Sequence, residues 1–179
     1  IVQFSVGKGA LLSQLIGGIR PEGANAFNLH IDSAWTPSPL PHHPLFITAC
    51  VPCSEDFTLS GGCTKVVPGS HMLRRQPLPE EIIEDKDVIP IECGKGSLVF
   101  WTGSTWHGNY SRQDKGDRVV LHISFSRLMM RTIENYDHLD DEWLKNKPHE
   151  LRIMLGREDF LGTTSIARGG VDRSKTTKT

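Results

Sequence analysis

The sequence predicts a mainly β fold with a few flanking helices, and two features of its middle part support that prediction. Short apolar stretches follow one another closely, and glycine, proline and polar residues typical of turns separate them. Several short strands with such turns form either a β-sandwich or a jelly roll, and the pattern alone permits both. The predicted strands are 25–32, 45–51, 63–67, 88–92, 97–102 and 117–126.

Turn residues separate these strands in order along the chain. Pro68-Gly69 follows the third strand, Gly103-Ser104 follows the fifth, and the polar run 113–117 leads into the sixth. Because side chains alternate across a strand, the sixth strand places Arg118 and His122 on one face and apolar residues on the other. In a barrel, the face with Arg118 would point into the interior.

Two helices are predicted outside the strands. Residues 79–86 form the first, and residues 140–155 form a second that Pro148 breaks and Gly156 ends. The second helix offers Trp143, Leu144, Leu151, Met154 and Leu155 for a packed face. The final stretch 168–179 has few apolar residues, and we expect it to be a disordered tail behind a single domain formed by residues 1–167.

Composition indicates a compact domain that acts on a small molecule. The chain has 179 residues, 37% of them hydrophobic, which is enough for one core. Its 20 basic side chains nearly balance its 21 acidic ones, so no strong field favours nucleic acid or an anionic membrane. The sequence has no apolar run long enough to cross a bilayer, and its start lacks the order of a signal peptide, so a cytoplasmic setting is expected. Nothing in the sequence indicates an oligomeric state.

The pair His30 and Asp32 is the first candidate for metal binding. Residues i and i+2 of a strand point the same way, so both ligating groups would face one side while Leu29 and Ile31 pack on the other. The pair is weak evidence alone, because the numbers of His and Asp predict about 0.5 such pairs by chance. A second pair, His138 and Asp140, precedes the helix 140–155, where Asp140 or Asp141 is better interpreted as a helix cap.

The surrounding motifs decide between these two pairs. Residues 61–71 run from Gly-Gly to Pro-Gly-Ser-His, residues 105–109 read Thr-Trp-His-Gly-Asn, and Arg118 lies eleven residues beyond His107. In this order, from Asn25 to Arg127, the sequence resembles the phytanoyl-CoA dioxygenase family of Fe(II)/2-oxoglutarate oxygenases. The resemblance selects the double-stranded β-helix, a cupin-like jelly roll, over the sandwich.

The resemblance also implies a cofactor site. His30, Asp32 and His107 would hold Fe(II) and leave coordination positions open for a co-substrate and O₂. Arg118 would bind the far carboxylate of 2-oxoglutarate, for which a planar guanidinium is well suited. The alternative for Arg118 is a surface ion pair with Asp114 or Asp117. Family members carry further, largely helical chain before the first ligand, so we expect part of that region to be missing and residues 9–17 to be its end.

Other residues are candidates for contacts around this site. Asn28, Thr48 and Asn109 could hydrogen-bond 2-oxoglutarate or bound water, and Trp35 could contact substrate. A second group is expected to be structural: Phe100 and Trp101 in the core, His71 at a turn, and His42-His43 on the loop surface.

The implied activity is hydroxylation of a small organic substrate with O₂, releasing succinate and CO₂. The presence of Asp32 favours hydroxylation over halogenation, which in related enzymes uses a small residue at that position. One alternative is a jelly-roll binding protein without turnover. Another is a zinc-stabilised interaction module on Cys50, Cys53, Cys63 and Cys93, since the first two have the spacing of structural zinc sites. Reduced, partly buried cysteines are the simpler interpretation of the same residues.

Overall fold

The structure is a computed structural model that describes residues 1–85, 87–158 and 160. Its eight strands are β1 Leu11–Arg20, β2 Phe27–His30, β3 Phe46–Pro52, β4 Thr64–Val66, β5 Ile89–Pro90, β6 Val99–Thr102, β7 His107–Asn109 and β8 Arg118–Ser126. Its helices are α1 Val2–Val6, α2 Pro79–Glu84, α3 Asp141–Lys145 and α4 His149–Met154, with a 3₁₀ turn at Ser70–Leu73.

The strands form two four-stranded sheets, and every pairing is antiparallel. One sheet has the order β1-β8-β3-β6 and the other the order β2-β7-β4-β5. This architecture confirms the predicted mainly β jelly roll with a few flanking helices. Strand β8 lies inside the first sheet, paired along its whole length with β1 and from Val120 to Ser126 with β3.

Apolar side chains of the first sheet pack against the segment that precedes β4. Cys50 of β3, Trp101 of β6 and Val120 of β8 form one buried cluster with Phe57 and Cys63. A second cluster, which includes Val6 and Ile47, packs α1 against the outside of the first sheet, and Phe100 is partly buried against it. The expected core positions of Phe100 and Trp101 are therefore confirmed.

All six predicted strands are present, but the prediction missed two others. The expectation that residues 9–17 end a helical region is wrong, because residues 11–20 form β1 and pair with β8 from Leu11↔Ser126 to Arg20↔Arg118. Long-range pairing with β8 determines the conformation of this segment. Strand β7 has three residues, too few to show a period in the sequence.

The predicted helices are confirmed in their main features. Residues 79–84 form α2, and Pro148 separates α3 from α4. Asp140 caps α3 by accepting a hydrogen bond from the Glu142 N–H, so this aspartate is a helix cap as expected. Of the expected packed face, Leu144 and Leu155 are buried whereas Trp143 is about half exposed.

Two further features concern the chain as a whole. Among the described residues, no helix combines the length and apolar character needed to cross a bilayer. The predicted tail 168–179 lies outside the described residues.

Candidate metal centre

The second sheet brings two of the candidate ligands together. Strands β2 and β7 pair so that His30 lies directly opposite His107. Gly108 makes this approach possible, since a Cβ at that position would lie 2.3 Å from the Phe27 carbonyl oxygen. Asp32 lies in a turn after the end of β2. A hydrogen bond of 2.9 Å from the Ser33 N–H to the Gly103 carbonyl oxygen stabilises this turn.

The three side chains converge on one point. The Asp32 Oδ1 atom lies 3.3 Å from His107 Nε2 and 3.9 Å from His30 Nε2, and the two imidazole centroids are 4.3 Å apart. Within residues 1–85, 87–158 and 160, this is the one group of three His, Cys, Asp or Glu side chains whose ligand atoms all lie within 4.8 Å of one another.

The remaining polar atoms of these side chains are already hydrogen-bonded. His30 Nδ1 is 2.9 Å from the Asn28 carbonyl oxygen and His107 Nδ1 is 3.0 Å from that of Thr105, so each Nδ1 can donate its proton and leave the Nε2 lone pair free. Asp32 Oδ2 accepts hydrogen bonds from Thr48 Oγ1 at 2.9 Å and Trp101 Nε1 at 3.0 Å. What is left for a metal is two Nε2 atoms and Oδ1, facing one another.

Electrostatics favour the protonation states that bind a metal at His30 and Asp32. Burial and the nearby His107 ring lower the pKa of His30 below its ordinary value, which favours neutral imidazole. Burial alone would raise the pKa of Asp32, but its interactions with His107, Thr48 and Trp101 outweigh that effect and lower it. Metal ligation requires neutral histidine and ionised carboxylate, and both are favoured near neutral pH.

The donor set fits Fe(II). Two imidazoles and one carboxylate on one side of an ion leave the other side open, which is the arrangement of non-haem iron oxygenases. A structural zinc site would instead close its coordination shell with protein ligands.

The convergence point lies in a cavity of about 470 Å³ between the two sheets. The predicted residues Trp35, Thr48 and Asn109 line it together with the three candidate ligands. Four of the lining side chains are apolar and 41–56% exposed, so they mark its open side, or mouth: Ile16, Phe27, Trp35 and Ile133. Strand β1 contributes Gln14 and Ile16 to this lining, and the sequence interpretation missed these two because residues 9–17 were expected to end a helical region.

Asn28 does not reach this cavity. The pairing of β2 with β7 shifts register between Phe27 and His30, so β2 is not a regular strand and Phe27 lines the cavity in place of Asn28. The Asn28 side chain is exposed, and its contribution is the carbonyl that accepts from His30.

Two residues of the cavity deserve mention beside those predicted. Trp101, expected only in the core, also donates its indole N–H to Asp32. His122 lines the cavity from β8 with its ring 5.9 Å from Trp101, and burial lowers its pKa. Its alternation with Arg118 along β8 predicted this inward position.

Arg118 is on the inward face of β8, as predicted, and it is only 2% exposed. It lies beyond the residues that line the cavity, with its guanidinium 4.9 Å from the centre of the Phe57 ring. The alternative of an ion pair with Asp114 or Asp117 is wrong, since in the described part of the chain Arg118 forms no ion pair and its Nε and Nη1 atoms are buried without a hydrogen-bond partner. Such an unpartnered cation fits a carboxylate ligand.

The cysteines do not form a competing metal site. Cys50 and Cys63 are buried, Cys53 is exposed and Cys93 is intermediate, and no three of them belong to a ligand group among the described residues. Burial raises the pKa of the Cys50 thiol to about 12 and that of Cys63 to about 11, which disfavours the thiolates that zinc requires. His71 lies in the 3₁₀ turn and His42 contacts Arg74, both away from the ligands.

Curated relatives match more than half of this chain. The chain is 28% identical over 103 residues to an uncharacterized protein, Rv1501, of Mycobacterium tuberculosis, covering 57% of this chain and 37% of that protein. It is 28% identical over 101 residues to dioxygenase andF of Emericella variicolor, covering 56% of this chain and 34% of the relative. The chain therefore spans little more than a third of the length of these curated relatives.

Solved structures share the fold at low sequence identity. HygX from Streptomyces hygroscopicus, determined with nickel, 2-oxoglutarate and hygromycin B bound, superposes with a TM-score of 0.62 at 16% identity, over 79% of this chain and 65% of HygX. EctD from S. alaskensis with bound Fe gives a TM-score of 0.60 at 19% identity, over 73% of this chain and 50% of EctD.

The family model described as phytanoyl-CoA dioxygenase (PhyH) matches residues 14–120, more than half of the chain. The match begins in β1 and ends in β8, and it includes His30, Asp32, His107 and Arg118. This chain belongs to the phytanoyl-CoA dioxygenase (PhyH) family.

Proposed function

We propose that this protein is an Fe(II)- and 2-oxoglutarate-dependent dioxygenase that hydroxylates a small organic substrate. One observation carries the proposal: His30 Nε2, His107 Nε2 and Asp32 Oδ1 face one another while the other polar atoms of these side chains are held by hydrogen bonds. Family membership and the solved structures with Fe or 2-oxoglutarate support it.

In this proposal, His30, Asp32 and His107 hold the iron and Arg118 takes the distal carboxylate of 2-oxoglutarate. When bound, the iron and 2-oxoglutarate supply the oxidising power to insert one oxygen atom of O₂ into a substrate C–H bond, with release of succinate and CO₂. The carbonyls of Asn28 and Thr105 orient the two imidazoles, and Thr48 and Trp101 orient the carboxylate. Asn109 and Thr48 line the space beside the ligands, where they can hydrogen-bond the co-substrate or water.

The substrate would enter at the apolar mouth of the cavity. Trp35 is about half exposed there and packs edge-on against Phe46, with ring centroids 5.9 Å apart. An apolar face of the substrate would cover Trp35 and Ile133 and exclude water from the site of oxidation.

An anaerobic titration tests the proposal. Addition of Fe(II) and then 2-oxoglutarate should produce the weak visible charge-transfer band of the chelate. His107→Ala should abolish the band because it removes a ligand. His138→Ala is the matched control, because it also removes an imidazole. The His138 ring contacts the Asn135 carbonyl and does not line the cavity, so the band should persist.

Turnover distinguishes an enzyme from a binding protein. Candidate substrates should be screened for succinate formation coupled to their own oxidation. A band with no coupled succinate for any substrate would favour a jelly-roll binding protein. Absence of a band, together with release of one equivalent of zinc by a thiol reagent, would favour the zinc module.

A further inference from the structure

Arg118 has a second arginine directly opposite it. In the antiparallel pair of β1 and β8, Arg20 is the register partner of Arg118. Residues directly opposite each other in an antiparallel pair carry their side chains on the same face of the sheet. Two guanidinium groups therefore extend from neighbouring strands on one side, at the end of β8 that lies beyond the catalytic cavity.

Both guanidinium groups contain buried N–H groups without partners. Five buried side-chain polar atoms lack a hydrogen-bond partner among the described residues, and three of them belong to this pair: Arg20 Nε, Arg118 Nε and Arg118 Nη1. A buried donor without a partner loses its hydration and gains nothing in exchange, and the cost is larger when the group is charged, so such atoms are rare in folded proteins. Their concentration on two facing arginines marks a place that a ligand completes.

No carboxylate of the described chain compensates either charge. Arg20 donates through Nη2 to the carbonyl oxygens of Asn25 and Tyr110, and Arg118 stacks on Phe57, but neither forms an ion pair within the described ranges. Carbonyl oxygens satisfy donors without neutralising a cation. Burial lowers the pKa of Arg118 to about 10, and the positive charge of Arg20 contributes further to this lowering. An anion between them would remove both penalties.

We infer that Arg20 and Arg118 together form the site for the distal carboxylate of the co-substrate, so that Arg20 is a further binding residue on β1. The inference rests on the proposed function and deepens it. Arg118 offers its free N–H groups to the carboxylate and Arg20 offers Nε from the opposite strand. Because Arg118 is buried and Arg20 is partly buried with its Nε atom inaccessible, the second arginine strengthens the preference for 2-oxo acids that carry a distal carboxylate over those that do not.

A pair of ligands isolates this contact. 2-Oxoglutarate and 2-oxopentanoate have the same 2-oxo acid group for chelating a metal, but 2-oxopentanoate lacks the distal carboxylate. Both are titrated anaerobically into the Fe(II)-loaded protein, with the charge-transfer band and calorimetry as readouts of Kd. The variants are Arg20→Met, Arg118→Met and, as a charge-matched control, Lys115→Met, whose exposed side chain lies in the turn before β8.

The expected result is a loss of selectivity rather than a general loss of binding. Arg20→Met should weaken the binding of 2-oxoglutarate by about 10-fold, which is the effect of roughly one charged hydrogen bond. The Kd of 2-oxopentanoate should stay within about 2-fold of the wild-type value. Arg118→Met should show the same pattern with a larger change. Lys115→Met should change the Kd of neither ligand by more than about 2-fold, because an exposed charge is screened by solvent.

Different failures point to different errors. If Arg118→Met loses selectivity while Arg20→Met matches the wild type, or if Arg20→Met weakens both ligands equally, the inference about Arg20 is wrong and the proposed function stands. If the wild type binds neither ligand in the presence of Fe(II), the proposed function is wrong. If Arg20→Met does not fold, Arg20→Lys replaces it, because lysine keeps the charge but lacks Nε. We then expect at least 3-fold weaker binding of 2-oxoglutarate and unchanged binding of 2-oxopentanoate. Wild-type affinity for both ligands would overturn the inference.

Discussion

Arg112 and Arg118 lie six positions apart, and each is only 2% exposed, yet their surroundings are opposite. Arg112 forms an ion pair with Asp56 through Nη1 and also donates to the carbonyl oxygens of Gly61, Lys115 and Gly116. Arg118 contacts the Phe57 ring and has two buried nitrogens without partners among the described residues. The protein therefore supplies hydrogen-bond acceptors and a counter-charge for Arg112, but no counter-charge among the described residues for Arg118.

In our proposal, this difference separates a structural arginine from a binding arginine. Arg112 ties the turn before β8 to the segment that precedes β4, so its hydrogen bonds are part of the folded state. Burial of Arg118 removes water from its charge, and the described chain supplies no counter-charge in exchange. In our proposal, a carboxylate ligand supplies that counter-charge. The two arginines should therefore respond in opposite ways to the same substitution.

The largest expected effect is on stability at Arg112. Arg112→Met leaves Asp56, whose side chain is 27% exposed, and three carbonyl oxygens without their partner. A hydrogen bond to a charged group contributes about 1.5–3 kcal/mol, so we expect a loss of about 3 kcal/mol of unfolding free energy. Urea denaturation of the protein without ligand measures it. A loss below about 1 kcal/mol would mean that Arg112 is not the structural member of the comparison.

Arg118→Met should give the reverse. The protein without ligand should be at least as stable as the wild type, because the substitution removes a buried cation that has no counter-charge. Affinity for 2-oxoglutarate should fall by about 30-fold or more, the equivalent of roughly 2 kcal/mol, as the carboxylate loses its partner. Urea denaturation and the anaerobic titration provide the two values. A large loss of stability with unchanged affinity would place Arg118 in the same class as Arg112.

In the candidate metal centre, the Asp32 Oδ2 atom resembles Arg112, because side chains of the protein itself form its hydrogen bonds. Trp101→Phe removes the indole N–H from that oxygen and should weaken Fe(II) binding by about 10-fold, measured by competition with a chelator. Trp106→Phe is the matched control, since its buried indole donates instead to the Arg75 carbonyl. Equal losses of metal affinity in both variants would show that the effect is packing and not orientation of Asp32.

The smallest expected effect is a pH dependence at Asp56. Burial would raise the pKa of Asp56, but hydrogen bonds from Ser54 and Arg112 outweigh it and lower the pKa below its ordinary value. A carboxyl with a lowered folded-state pKa stabilises the fold above its unfolded pKa of about 4 and loses that contribution as pH falls through the lower value. The difference in Tm between wild type and Asp56→Asn should be constant from about pH 5 to 7 and shrink below about pH 4. A difference that stays constant at low pH would contradict the ion pair.

Local chemistry made part of the site predictable from sequence. His30 and Asp32 lie two residues apart at the end of a strand, and His107 and Arg118 lie in family motifs, so these residues could be named as candidates without coordinates. The β-rich pattern and the break at Pro148 were readable for the same reason, since turns and prolines act on their immediate neighbours.

The rest depends on long-range pairing. Arg20 lies opposite Arg118 only through the register of β1 and β8, and nothing within residues 11–20 specifies that register. The bond from Trp101 to Asp32 joins residues 69 positions apart. Asn28 was misplaced because the irregular pairing of β2 with β7 breaks the alternation that a regular strand would have kept.

The most direct test of the central claim is a crystal structure grown anaerobically with Fe(II) and 2-oxoglutarate, with the iron located by anomalous scattering. We predict an ion bonded to His30 Nε2, His107 Nε2 and Asp32 Oδ1 at about 2.0–2.2 Å, with the distal carboxylate of 2-oxoglutarate on the Arg118 guanidinium. Iron at any other set of residues, or a distal carboxylate that leaves Arg118 unpartnered, would contradict the account.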